Sequence, residues 1–261
     1  MAPRNTRVKD AAKLSRRSVR SERRLFLADG PRAVEGALSV DGCVVEIFAT
    51  EAASAAHAGL ASDAPRWTVV EPRALESLSD SVSPAGVVAV CRFVDVPLHD
   101  ALGPAVRMVA ICADVRDPGN AGTVIRTADA AGADAVVLAG TSVDAYNAKT
   151  VRATVGSLFH LPLAIADDAA EAVHAARGAG LIVLAADGAG EVDLDDAEQV
   201  LAAPTAWLFG NEVRGLPVDL AAMADHRVRI PIHGRAESLN LSTAAAVCLY
   251  ASARVQRAHL G

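Results

Sequence analysis

Met108-Val-Ala-Ile-Cys-Ala-Asp-Val-Arg-Asp-Pro-Gly-Asn-Ala-Gly-Thr-Val-Ile-Arg-Thr127 decides how the C-terminal half is built. Its first six residues are apolar without alternation, the pattern of a strand covered on both faces in a parallel sheet. Asp117-Pro118-Gly119 then turns the chain, and Asn120 is placed to cap a helix over Ala121–Ala131. Open parallel sheets bind ligands at the carboxyl ends of their strands, so this loop is a candidate site by position. Asn120, with Arg126 under two turns further on, suits a polyanion at a helix N-terminus. A capped helix with a surface arginine accounts for the same residues.

The same punctuation recurs downstream. Ala135–Ala139, Leu181–Ala185, Trp207–Phe209 and Arg227–Ile232 read as strands, with helical runs at Ala169–Gly178 and Leu241–Ala258. Two more strand ends carry polar loops. Leu208-Phe-Gly-Asn-Glu-Val-Arg-Gly-Leu216 runs into Gly210, where backbone can approach a ligand closely, followed by Asn211 and Glu212. Ile230-Pro-Ile-His-Gly-Arg-Ala-Glu-Ser-Leu-Asn-Leu-Ser242 offers Ser238, Asn240 and Ser242 as caps for a helix that needs one. A turn before a solvated helix, and redundant capping, are the plain alternatives for these two.

Upstream lies Val94–Ala105, with Pro97, Gly103 and Pro104 and weak periodicity, which reads as a linker. The organisation expected is residues 1–97 as a smaller domain, 98–106 as linker and 107–261 as the larger domain. The first half alternates strands (Cys43–Phe48, Trp67–Val70, Gly86–Phe93) with short helices (from Pro31, Glu51–Leu60, Pro72–Leu78), a small α/β unit. Apolar residues make up 52% of the chain and aromatics 3%, so the cores are built from Ala, Val, Leu and Ile.

The net charge is −6, but it is unevenly placed. Residues 1–24 hold nine cations (Arg4, Arg7, Lys9, Lys13, Arg16, Arg17, Arg20, Arg23, Arg24) against Asp10 and Glu22, +7 on a remainder of −13. This basic arm, helical over 8–24 and ordered on binding, is expected to hold a phosphate backbone locally. A solvated charged tail reads the same way. Cys43, Cys91, Cys112 and Cys248 are scattered, with no CxxC pair, so neither zinc nor a disulfide framework is indicated and a reducing cytoplasm is expected. No apolar run approaches the ~18–20 residues of a membrane span, and the charged start with no apolar stretch behind it is not expected to be a signal peptide. Neither GxGxxG, GxxxxGK[ST], GxSxG nor HExxH occurs, and the seven histidines are dispersed; His233 alone falls in a candidate loop.

Taken in order, the three loops resemble the three motifs of the SpoU (TrmH-type) branch of the SPOUT methyltransferases. Asp117, Pro118, Asn120, Gly122, Arg126 and Thr127 are similar to its D-P-x-N-x-G-x-x-x-R-T pattern. Phe209 to Glu212, Gly215 and Leu216 are similar to F-G-N-E-x-x-G-L. Ile230 to Ile232, Ser238 to Asn240, Ser242 and Ala244 are similar to I-P-I…S-L-N-x-S-x-A. Lys149 to Phe159, with Pro162, resembles the segment between the first two motifs. More loosely, Arg23 to Ala37 resembles the start of the ribosomal-protein-like substrate-binding domain of such enzymes, with Asp29 where the family has Glu.

This resemblance implies an α/β fold whose C-terminal domain is trefoil-knotted around a parallel sheet, and an obligate homodimer with active sites built from both subunits. It implies S-adenosylmethionine (SAM) as cofactor, held near Leu208, Phe209, Gly210, Ile230, Pro231, Ile232 and Leu239. It assigns Arg126, Asn120, Glu212, Ser238 and Asn240 to catalysis of methyl transfer to a ribose 2′-OH of RNA. Ribosomal RNA, 23S rRNA above all, is the substrate expected; tRNA is the alternative. An RNA-binding protein of this fold without catalysis, or a metabolic α/β enzyme using a nucleotide, would be told apart by methyl transfer and by retention on RNA.

Overall fold

The computed structural model describes residues 6–260. The chain divides into two compact units, residues 1–94 with 144–160, and residues 95–143 with 161–261. The stretch 144–160 thus groups with the first unit, although the sequence reading put everything beyond 107 in the second. It enters the first unit through contacts that sequence distance hides.

In the first unit a four-stranded sheet has the order β1-β4-β2-β3, from β1 (Leu25–Asp29), β2 (Val44–Ala49), β3 (Trp67–Val69) and β4 (Val87–Arg92). β4 is antiparallel to both its neighbours, while β2 and β3 are parallel. β1 was not foreseen, because Leu25-Phe-Leu-Ala-Asp29 is short and directly follows the basic segment.

That basic segment is not a tail awaiting a partner. Helix Thr6–Ala12 and the turn Lys13–Ser15 after it pack onto the sheet, burying Val8, Ala11 and Leu14 beside Leu27, Phe48 and Leu75, and helix Arg17–Arg23 follows. The apolar positions 8, 11 and 14 recur at helical spacing, which a count of charges passes over. Two of the nine cations turn inward. Arg20, 4% exposed, donates to Asp144 Oδ2 from Nε (3.0 Å) and Nη2 (2.5 Å) and to the Leu14 and Ser15 carbonyls. Arg7 pairs with buried Glu46, and Thr68 Oγ1 donates to the same carboxylate at 2.7 Å. Lys9, Lys13, Arg16, Arg17, Arg23 and Arg24 are exposed; Arg4 lies outside the described residues. Around Asp144 the aromatics gather: Tyr146 stacks on Phe93 at 3.8 Å and lies 4.7 Å from Phe26, which also meets Phe159.

The second unit is a seven-stranded, fully parallel sheet of order β7-β6-β5-β10-β8-β11-β9. Its strands are β5 (Met108–Ala113), β6 (Ala135–Ala139), β7 (Leu163–Ala166), β8 (Ile182–Ala186), β9 (Val192–Asp193), β10 (Thr205–Phe209) and β11 (His226–Arg229). β7 and β9 were missed from sequence, being four and two residues long at the sheet edges.

Both faces are covered, which is why the strands show no alternation. Val109, Ile111, Ala206 and Leu208 pack with Ala169, Ala172, Val173 and Ala176 of the helix Ala169–Gly178. On the other face Trp207, fully buried, donates from Nε1 to Ser252 Oγ at 2.8 Å on the C-terminal helix Leu241–Leu260. That helix packs against Pro118–Ala131. No helix among the described residues is long and apolar enough to cross a membrane.

Candidate active site

Three strand-end loops of the second unit converge where β5, β10 and β11 finish. The helix Pro118–Ala131 is capped by Asp117, whose Oδ1 accepts from Asn120 N at 2.8 Å. This corrects the expectation that Asn120 caps a helix beginning at Ala121. Pro118 has no N–H to lose at the first helical position and its ring presets φ, so the helix starts three residues earlier. Asn120 falls inside the first turn and its carboxamide serves another purpose.

Glu212 arrives from the loop after β10. Its carboxylate accepts from Arg116 N (3.1 Å), Asp117 N (2.9 Å) and Asn120 Nδ2 (3.2 Å). Burial pushes this carboxyl up, but the hydrogen bonds from Arg116, Asp117, its own N–H and Asn120 together outweigh it and hold it below the usual glutamate value.

Asn240 arrives from the loop after β11. Its Oδ1 accepts from Ser242 N (2.9 Å) and Thr243 N (3.4 Å), so of three candidate caps Asn240 starts the C-terminal helix. Its Nδ2 donates to Asn120 Oδ1 at 3.1 Å. The chain of donors has one direction. The helix N-terminus claims Asn240 oxygen, which turns its nitrogen to Asn120 oxygen, which turns Asn120 nitrogen to Glu212.

The Glu212 loop is itself rigidly made. Asn211 and Gly215 exchange backbone hydrogen bonds of 3.1 and 2.9 Å; Asn211 Oδ1 accepts from Val213 N and Arg214 N, and its Nδ2 donates to the Asp114 carbonyl. A Cβ on Gly210 would lie 2.4 Å from Gly215 C and 2.5 Å from Leu216 N. The close approach expected at Gly210 is therefore made by the loop's own backbone.

A cavity of about 340 Å³ opens beside this network. Of the residues singled out from sequence, Phe209, Gly210, Glu212, Ile230, Ile232, Ser238 and Leu239 line it. Leu208 does not: it points into the core on the opposite sheet face and is fully buried. Pro231, Asn120, Asn240, Arg126 and His233 are outside the lining. Arg126 is exposed on the Pro118–Ala131 helix with no hydrogen bond or ion pair among the described residues.

Sequence reasoning missed Asp187-Gly188, which follow Ala186 at the end of β8 and with it form one wall, and Glu237 in the third loop. The signal was available for the first, since Asp-Gly follows a buried parallel strand; its Ala/Asp-rich surroundings masked it. No thiol serves here. All four cysteines are free and buried, and burial, with the Glu212 charge behind it, pushes Cys112 up to about 12.

The "SpoU rRNA Methylase family" profile matches residues 107–250, the span that contains all three loops. The chain belongs to the SpoU rRNA methylase family. A second profile, "MRM3-like substrate binding domain", matches residues 5–89. SpoU relatives extend over both units. The 23S rRNA (guanosine(2553)-2'-O)-methyltransferase RlmP of Bacillus subtilis is 34% identical over 252 residues, covering 94% of this chain and 95% of that protein. The SpoU methyltransferase AviRb of Streptomyces viridochromogenes superposes with a TM-score of 0.85 at 30% identity, covering 98% of this chain and 99% of the other. An AdoMet-bound rRNA methyltransferase from Sinorhizobium meliloti gives 0.82 at 35% identity, covering 96% and 95%. The α/β SpoU fold with an N-terminal substrate-binding domain is thereby established.

Proposed function

We propose that this chain is a SAM-dependent methyltransferase that modifies a ribose 2′-oxygen of 23S rRNA, acting as a cytoplasmic homodimer. The observation that carries the reading is the Asn240–Asn120–Glu212 chain of hydrogen bonds, which ties three SpoU motifs together at the rim of one cavity. A volume of about 340 Å³ falls in the ~300–1,000 Å³ range of small-molecule sites. The walls suit the donor. Ile230, Leu239, Leu241 and Ala244 offer apolar surface to an adenine ring, and the lining includes Asp187, Glu212 and Glu237 but no cation.

Bound there, SAM supplies a methyl group already activated on a sulfonium. The protein's task is placement of the ribose oxygen in line, worth ~7–11 kcal/mol in favourable cases. Asn120 and Asn240, each with a fixed carboxamide, orient the incoming nucleotide. Glu212 remains ionised and holds the loop before the Pro118–Ala131 helix, a positioning role, because its oxygens already accept three donors. Arg126 stays protonated and binds a substrate phosphate bidentately beside the developing alkoxide. Family membership carries the expectation of a site built from two copies, and exposed Arg126, unpaired among the described residues, is assigned to the cavity of a second copy. Exposed Val247 and Tyr250, on the helix that packs against Pro118–Ala131, offer apolar surface for that copy. Family membership also carries the expectation of a trefoil knot in this unit.

Exposed Lys9, Arg16, Arg17 and Arg23 supply phosphate contacts from the substrate-binding unit. The test is transfer of tritiated methyl from SAM to 23S rRNA by the purified protein, followed by mapping of 2′-O-methyl positions in a deletion strain. Transfer to 23S rRNA and one missing ribose methylation there are the expected results. Methylation of tRNA alone, or SAM binding without transfer, overturns the proposal.

A further inference from the structure

We infer that Glu237 reads the positive charge of the methyl donor and so makes the site prefer SAM over its neutral-sulfur product. The inference rests on reading the 340 Å³ cavity as the donor site. Three carboxylates line that cavity, and two are already engaged. Glu212 accepts from two backbone N–H groups and from Asn120. Asp187 accepts from Ala189 N at 2.9 Å and faces Arg227 at 3.7 Å. Glu237 has no hydrogen bond or ion pair with any described residue, and no Lys or Arg stands in the lining to neutralise it.

Glu237 is solvent-exposed at the cavity's edge, so its attraction for a cation held in the cavity is modest and falls as salt is raised. SAM and its product carry the same amino-acid charges and differ by the sulfonium. Methyl transfer removes that one positive charge, so an attraction felt by the donor is lost to the product when the bond has formed. Glu237 is therefore placed to favour loading of SAM and release of S-adenosylhomocysteine. It contributes specificity, not chemistry, and Ser238 and Leu239 beside it carry the loop along the same wall.

The experiment is isothermal titration of the full-length wild type, Glu237→Gln, Glu237→Asp and a surface control, Glu198→Gln, with SAM and with S-adenosylhomocysteine. Thermal unfolding of each variant confirms that the exposed loop change leaves the fold intact. The expected result is a loss of SAM affinity of about fivefold in Glu237→Gln, a change under twofold for S-adenosylhomocysteine, and recovery in Glu237→Asp. The wild-type preference should shrink as salt is raised, and Glu198→Gln should bind like wild type. Equal weakening toward both ligands, or no weakening toward SAM, overturns the inference while leaving the cavity's assignment intact. Failure of the wild type to bind either ligand would instead remove the assignment itself.

Discussion

Two carboxamides and one carboxylate hold the site together, and each is constrained by what lies behind it. Asn240 is committed at its oxygen to the C-terminal helix, Asn120 to Asn240, and Glu212 to two backbone N–H groups and Asn120. Arg126 stands apart from this network, exposed and unpaired among the described residues, so its removal should touch chemistry alone. Arg126→Ala is expected to abolish methyl transfer while leaving unfolding temperature, oligomeric state and SAM affinity near wild type; normal turnover would refute its role. Gly210→Ala is the opposite case. The new Cβ meets Gly215 and Leu216 backbone at 2.4–2.6 Å, which no rotamer change relieves. The expected loss is about 2 kcal/mol or more in urea unfolding. A neutral substitution would mean that the loop shifts freely.

Elements carry the next set of consequences. Glu212 links the loop after β10 to the N-terminal approach of the Pro118–Ala131 helix. Its folded-state value lies below the unfolded one, so its stabilisation is complete above the unfolded value and is lost as pH falls through the folded value. Wild type should therefore exceed Glu212→Gln in urea midpoint at pH 7, and the gap should close in strong acid. A gap independent of pH would mean that shape, not charge, holds the loop. The two N-terminal helices are structural as well as basic. Breaking the buried Arg20–Asp144 pair leaves an uncompensated charge, so Arg20→Ala should cost about 3–5 kcal/mol. Arg17→Gln, on the exposed face, should leave stability within about 0.5 kcal/mol yet flatten the salt dependence of RNA binding. Deleting residues 1–24 would expose the Leu27–Phe48–Leu75 core and report unfolding instead of RNA contact.

At the scale of the whole molecule the proposal needs two copies. Sedimentation equilibrium should give a dimer, and Val247→Glu, set in the exposed face of the C-terminal helix, should yield monomers that retain SAM binding and lose methylation. A monomeric wild type with full activity would place Arg126 outside the mechanism proposed for it.

What the sequence by itself determined was the parallel sheet of the second unit and the membership of its three loops in one family. Strands covered on both faces must be apolar throughout, and turns, caps and close backbone approaches restrict residue choice at fixed spacings, so Asp117–Asn120, Gly210–Glu212 and Ser238–Asn240 stand out in one dimension. Tertiary structure alone decided that Asp117 rather than Asn120 caps its helix. It also decided that Arg7 and Arg20 face inward, that Asp144–His160 joins the first unit, and that Asp187 and Glu237 border the cavity. The cap is a local contact that Pro118 presets; for the inward-facing arginines and the Asp144–His160 stretch the physical reason is distance along the chain. Hydrogen-bond partners such as Glu212 with Arg116, or Arg20 with Asp144, lie about a hundred residues apart in the chain, and local pattern holds no trace of which distant group will claim a side chain.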